Sequence, residues 1–183
     1  LYCKLLSRKS PKSATKRSLE VQEMTTQQLF EYFQKNSICE SLTQQDVAVM
    51  AHFLQEKTFS AGDIINDLGE VGNAMYFIVE GRVCFSATDG QDEAEVGLQG
   101  PGNLIGEMSF FDRKPRMLRM KAASKKVVLL EITRPLYDRL KVEHPFIAVN
   151  LVENAVVSLD HLIRALSNDL SQFEHYMHGY GRH

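Results

Sequence analysis

Nine of the 11 glycines in this chain fall between residues 62 and 106, and they cut that stretch into apolar runs too short for helices. They are Gly62, Gly69, Gly72, Gly81, Gly90, Gly97, Gly100, Gly102 and Gly106. Reversals this frequent specify an all-β barrel or jelly roll, whose layers need a turn after nearly every strand. MYFIVEG and RVCFSAT are the clearest strands, with Gly81 supplying a tight bend or bulge between them. VVLLEI, from Val127 to Ile132, is another. Its continuous apolar run suits a strand covered on both faces, whereas the alternation in residues 82 to 87 predicts one wetter face.

Helical spacing flanks this block on both sides. Leu29, Phe30 and Phe33 follow Thr25 and Thr26, either of which can cap the turn. Leu42, Val47, Met50, Phe53 and Leu54 form a second helical set, with Thr43 as N-cap and Asp46 three residues on as its capping partner. Beyond Thr133, Pro135 suits a helix start, and Pro145 opens another helix after a break at His144. In the last segment Val149, Val152, Val156, Leu159, Ile163, Leu166, Leu170 and Phe173 alternate by three and four residues, the spacing of a heptad seam. A second apolar line runs through Ala148, Leu151, Ala155, Leu162 and Ala165. One face therefore suits the barrel and the other a partner helix, with an intramolecular amphipathic helix as the alternative. The chain reads as mainly β with flanking α. Its expected parts are a basic linker at 1–20, N-terminal helices at 21–57, a barrel at 58–133, C-terminal helices with a dimer seam at 134–178, and a tail at 179–183.

The 183 residues, 44% hydrophobic, suffice for one principal core. Lys4, Arg8, Lys9, Lys12, Lys16 and Arg17 open the chain without an acid between them, so residues 18 to 183 carry 15 basic against 23 acidic side chains, a net of −8. A body of that sign is a poor match to a phosphate backbone, and no nucleic acid is expected as partner. The Ser- and Lys-rich stretch SRKSPKSATKRS reads as a solvated linker, with a tether to acidic lipid as the other option. Cys3, Cys39 and Cys84 are odd in number and widely spaced, which fits neither a disulfide framework nor a zinc cluster and suits a reducing compartment. No uninterrupted apolar run reaches the roughly 18 residues of a bilayer span, and the basic start lacks the apolar region of a secretory signal. The first residue is Leu1 rather than Met, as in an excised piece of a longer protein or a trimmed chain.

Residues 105 to 117, IGEMSFFDRKPRM, set Gly106, Glu107 and Arg116 around a compact segment, either an anion cradle or an ordinary turn with a surface ion pair. GDIINDLGEVGNAMYFIVEGRV followed by GPGNLIGEMSFFDRKPR resembles the cyclic nucleotide-binding domain family, including its Gly-Glu to Pro-Arg phosphate-binding cassette. The likeness covers approximately residues 38 to 170. It implies a small β-barrel or jelly roll with N-terminal helices, a short helix inside the cassette, and C-terminal hinge and lid helices. It also implies a cyclic nucleotide as ligand, with a homodimer or a linked effector as output and a location in the cytoplasm or on the cytosolic face of a membrane protein.

On that resemblance Arg116 offers a planar fork of donors to the cyclic phosphate, and N–H groups between Met108 and Phe111 hold another phosphate oxygen. Glu107 accepts the ribose 2′-hydroxyl, since its carboxylate in contact with phosphate would repel it. Gly106 lets the backbone approach closely. Ser109 adds a hydroxyl to the site or to a turn. Met117 stands where the family usually has a small or hydroxylated residue, and its backbone N–H remains available to phosphate. The Thr that favours guanine in some members is missing, so cyclic AMP is expected over cyclic GMP. Arg119 and Lys121 line an outward face or enlarge the positive field.

Base recognition falls to Met75 and a residue of the last helix, Phe173 or Tyr176. His161, His175, His178 and His183 lack a placed third ligand, so no metal or other cofactor is expected. A phosphodiesterase would need metal ions or another activated-water device, and no Ser-His-Asp set accompanies Ser109, so regulation rather than catalysis is expected. A non-signalling assembly module with the cassette as scaffold is the alternative.

Overall fold

The computed structural model describes residues 24–88 and 93–179, with side chains as far as 167 apart from those of 88, 165 and 166. The basic linker at 1–20 and most of the tail lie outside the described residues. Two short helices come first, α1 (Thr26–Lys35) and α2 (Gln44–Ala51). Each opens on a capping box: Thr25 with Gln28, and Thr43 with Asp46. In both, the Thr hydroxyl accepts from the third helical N–H while that residue's side chain accepts from the Thr N–H, which satisfies two orphan donors.

Eight strands follow among the described residues. They are β1 (Gln55–Ser60), β2 (Ile64–Asn66), β3 (Ala74–Glu80), β4 (Val83–Thr88), β5 (Glu93–Gln99), β6 (Leu104–Ile105), β7 (Arg119–Ala122) and β8 (Lys126–Thr133), with a single helical turn and a half, α3 (Glu107–Asp112), between β6 and β7. They form two four-stranded sheets, ordered β1-β8-β3-β6 and β2-β7-β4-β5. Every pairing is antiparallel. This is the jelly roll that the glycine punctuation implied. The first strand begins at Gln55, three residues before the first barrel residue expected from sequence.

The first sheet has a core on each face, because side chains alternate along a strand. Ala74, Tyr76 and Ile78 of β3 point into the barrel with Val127, Leu129, Met120 and Ala122. Met75 and Phe77 point the other way, toward Leu29, Phe33, Leu140, Ile147 and Leu151 of the helices. The run Val127–Leu130 is apolar throughout for that reason, and Ile132 follows beyond Glu131. Val127 and Leu129 belong to the barrel, Leu130 and Ile132 to the helical layer. Each large side chain buried this way contributes about 1.5–3 kcal/mol. The wet face expected of β4 is only partly wet, because Ser86 is buried beneath a hydrogen bond to the Glu93 carboxylate.

Two helices follow β8, α4 (Arg134–Glu143), with Pro135 in its first turn, and α5 (Pro145–Gly179). Ala148, Leu151 and Ala155 of α5 are buried in the helical core, while Val149, Val152, Val156 and Ile163 are exposed. The two predicted lines therefore separate onto two faces as far as Ala155. Leu162, assigned by sequence to the inner line, is exposed. Pro145–Arg164 is long and apolar enough to cross a membrane by length and composition. A search for uninterrupted apolar runs misses it because Asn150, Glu153 and Asn154 break the run.

Candidate anion-binding site

The site begins where β6 ends. Gly106 turns the chain with φ +82° before α3, and a Cβ there would lie 3.2 and 3.3 Å from the two terminal nitrogens of Arg116 and 3.4 Å from the Ala74 carbonyl. Any other residue would meet backbone strain and crowd the guanidinium at the same point. Glu107 follows, only 4% exposed. Burial pushes its carboxyl above the ordinary value, opposed by a hydrogen bond from its own backbone N–H and by the charge of Arg116.

Arg116 is 8% exposed and is bonded to main chain through its backbone and its two terminal nitrogens. Its own N–H donates to Glu70 O at 2.9 Å and its carbonyl accepts from Gly69 N–H at 3.0 Å. The guanidinium donates through Nη1 to Gly106 O at 3.5 Å and through Nη2 to Ala74 O at 3.2 Å. Its Nε–H is buried with no partner among the described residues. A buried donor left unmade costs about 1–3 kcal/mol, more when charged. Burial also lowers the pKa of the guanidinium, opposed by Tyr76, Glu70 and Glu107, yet an arginine stays protonated. A fixed positive charge with one nitrogen lacking an acceptor and only long bonds to carbonyls from the other two is chemically suited to an anion.

Ser109 has a different task. Its hydroxyl accepts from Gly72 N–H at 2.7 Å and donates to Lys114 O at 2.6 Å, which closes the cassette against the loop before β3. Gly72 leaves no room for a side chain there, since a Cβ would lie 2.9 Å from Ser109 Oγ and from Phe110 N. Met108 and Met117 are at the surface, Met117 83% exposed, so the structure leaves their backbone, not their side chains, beside the cassette. Met75 does not join the group. It is fully buried on the helical face of β3, and Ala74, Tyr76 and Ile78 are the residues of that strand that face the barrel. Phe173 and Tyr176 lie on α5, and their side chains are outside the described residues. Arg119 is paired with Asp67 at 2.8 Å and Glu93 at 3.3 Å on the outer face.

Sequence reasoning missed the loop Glu70–Ala74, whose carbonyls hold Arg116, and Arg134, which binds the same loop from the other side. The close pair Gly69 and Gly72 was a signal for the first. A cavity of ≈ 950 Å³ opens against this loop, and its lining mixes the carboxylates of Glu70 and Glu131 with the guanidinium of Arg134. Among the described residues no group of three His, Cys, Asp or Glu side chains is placed to hold a metal ion.

With this geometry in hand, comparison with known proteins is specific. The family model described as the cyclic nucleotide-binding domain matches residues 56–143. The chain is 35% identical over 103 residues to a cyclic nucleotide-gated potassium channel of Rhizobium etli, covering 56% of this chain and 27% of the channel. It is 32% identical over 111 residues to the cyclic AMP receptor protein of Thermus thermophilus, covering 60% of this chain and 51% of that protein. The chain thus spans about half or less of the length of these curated relatives. A crystal structure of a cyclic nucleotide-binding domain from Methylobacillus flagellatus superposes with a TM-score of 0.71 at 17% identity, over 80% of this chain and 83% of that one, which supports the fold. The jelly roll, the cassette between β6 and β7 and the matched residues agree: residues 56–143 of this chain belong to the cyclic nucleotide-binding domain family.

Proposed function

We propose that the chain is the sensing domain of a signalling protein that binds cyclic AMP in preference to cyclic GMP and reports occupancy through its C-terminal helices. The observation that carries this reading is Arg116, a buried guanidinium held only by backbone carbonyls, with an unused Nε donor beside the buried Glu107. The singly charged ring phosphate meets Arg116, and Glu107 accepts from the ribose 2′-hydroxyl. Met117 in place of a hydroxylated residue removes a side-chain hydrogen bond that would favour guanine, hence the preference for adenine. The relatives include a channel and a receptor protein, and a cytosolic domain, free or attached to a membrane partner, fits both.

Occupancy shifts the position of α4 and α5 only if the ligand binds one arrangement more tightly than the other. The exposed line Val149, Val152, Val156 and Ile163 suits a second copy of the chain, pairing helix to helix. Catalysis has no support in the residues around the cassette. A second reading, an assembly module with a silent pocket, draws on the same seam and on the fact that both terminal nitrogens of Arg116 already have acceptors. Calorimetric titration with cyclic AMP, cyclic GMP and linear 5′-AMP separates the two. Saturable binding of cyclic AMP, tighter than of the other two, is expected. Silence at millimolar cyclic nucleotide, with dimer mass retained in light scattering, selects the assembly module.

A further inference from the structure

Arg134 is the first residue of α4, where the positive end of the helix dipole disfavours a cation and where the first turn holds no acid. A charge in that position needs another reason to be there. Its Nη2 donates to two carbonyls at once, Gly72 O at 2.7 Å and Phe110 O at 2.5 Å. Its guanidinium carbon lies 4.6 Å from the centre of the Phe110 ring, and its backbone N–H donates to Asn73 O at 2.8 Å. Phe110, fully buried in α3, also meets Tyr137 of α4 edge to face at 5.4 Å.

The loop Glu70–Ala74 is therefore held from both sides. Arg116 and Ser109 grip it from the cassette through Glu70 O, Ala74 O and Gly72 N–H, and Arg134 grips it from α4 through Gly72 O and Asn73 O. We infer that Arg134 is the positioning residue that couples the cassette to the C-terminal helices: it clamps α3 and the Glu70–Ala74 loop to the start of α4, so that a displacement of Arg116 or α3 is carried to α4 and α5 as one movement. The inference rests on the proposed ligand for its role in signalling, whereas the clamp itself is made of contacts within the chain. The side-chain hydrogen bonds of Arg134 go to Gly72 and Phe110, none to Arg116 or Glu107. Arg116 and Glu107 keep their partners when it is replaced, and only the transmission is lost.

Hydrogen exchange on the full chain tests this with two independent arms. In the first, cyclic AMP is added to wild type, Arg134→Met and Arg134→Lys, with affinities measured in parallel. Arg134→Met is expected to bind within about threefold of wild type, as a residue outside the site should. It keeps the exchange response of residues 106–117 but loses at least about half of the response of residues 134–155, and Arg134→Lys, which retains one charged donor, restores part of it. A response at 134–155 equal to wild type in Arg134→Met overturns the inference. The second arm needs no ligand and covers a variant that fails to fold, because it is run on Arg134→Lys as well. Ser109→Ala, which loosens the cassette from inside, is expected to raise exchange at 134–143 by about threefold with Arg134 present, by an intermediate amount with Arg134→Lys and by much less with Arg134→Met. Equal effects in all backgrounds overturn the clamp. Absence of cyclic AMP binding in wild type removes the proposed function alone, since the ligand-free arm still decides the coupling.

Discussion

Arg116 and Arg119 stand three residues apart on one segment and have opposite fates. Arg119 lies on the outer face of β7 with a carboxylate on either side, Asp67 and Glu93, and those partners hold its pKa above the ordinary value. Arg116 is turned inward, forms no ion pair among the described residues and keeps a buried Nε–H without an acceptor. Counting positive charges along the segment would treat the two alike. What separates them is partnership: the charge of Arg119 is neutralised within the fold, and that of Arg116 is left for something else.

That contrast gives the largest expected effect. Arg116→Ala should weaken cyclic AMP binding by about 10² to 10³, because a charged donor is removed from a desolvated phosphate at a cost on the order of 2–5 kcal/mol. Arg119→Ala should change affinity by less than about threefold, because an exposed pair contributes little. Isothermal titration of both variants checks this, and equal losses would erase the distinction. The two faces of α5 sharpen it in stability terms. Leu151→Ala, inside the helical core, is expected to cost about 2–5 kcal/mol in urea unfolding. Val156→Ala, on the exposed line, should stay within about 0.5 kcal/mol for the isolated chain. A large cost for Val156 at dilute concentration, vanishing on further dilution, would place that face in an interface.

A smaller effect concerns Glu107. Glu107→Gln should weaken cyclic AMP more than its 2′-deoxy analogue, by about tenfold in the ratio of the two affinities, or ~1.4 kcal/mol. Equal losses for both would assign Glu107 to the fold. The smallest effect is in pH. The folded carboxyl of Glu107 is raised above its ordinary value of 4.5, so the native state binds more protons than the unfolded one between the two values. The contribution of Glu107 to stability is thus fully present below 4.5 and is lost as pH rises through the folded value. Glu107→Gln should gain stability relative to wild type as the pH is raised from acid toward neutrality, seen as a rising difference in urea midpoints.

Much of the fold was legible because it depends on local rules. Glycine spacing marked out the short strands, Thr25 and Thr43 announced their helices through the capping partners three residues on, and Pro135 and Pro145 opened the last two. That Gly106, Glu107 and Arg116 come together was legible because they lie in one short stretch. Met75 was misplaced for a physical reason: AMYFIVE is apolar on both faces, so nothing in the sequence sets which parity looks into the barrel. The acceptors of Arg116 were invisible because every residue has a carbonyl, and only the folded loop brings those of Glu70 and Ala74 to it. Arg134 could have been noticed as a cation at the wrong end of a helix, a misfit that makes sense once its two carbonyl partners are seen.

The unused donor of Arg116 can be observed directly. In a nitrogen–proton correlation spectrum of the labelled chain, the Nε–H signal of Arg116, assigned by comparison with Arg116→Lys, should move and exchange more slowly with water on adding cyclic AMP, while adenosine, which lacks the phosphate, leaves it in place. A signal unchanged at saturating cyclic AMP, or shifted equally by adenosine, would contradict the assignment of that guanidinium to a ring phosphate.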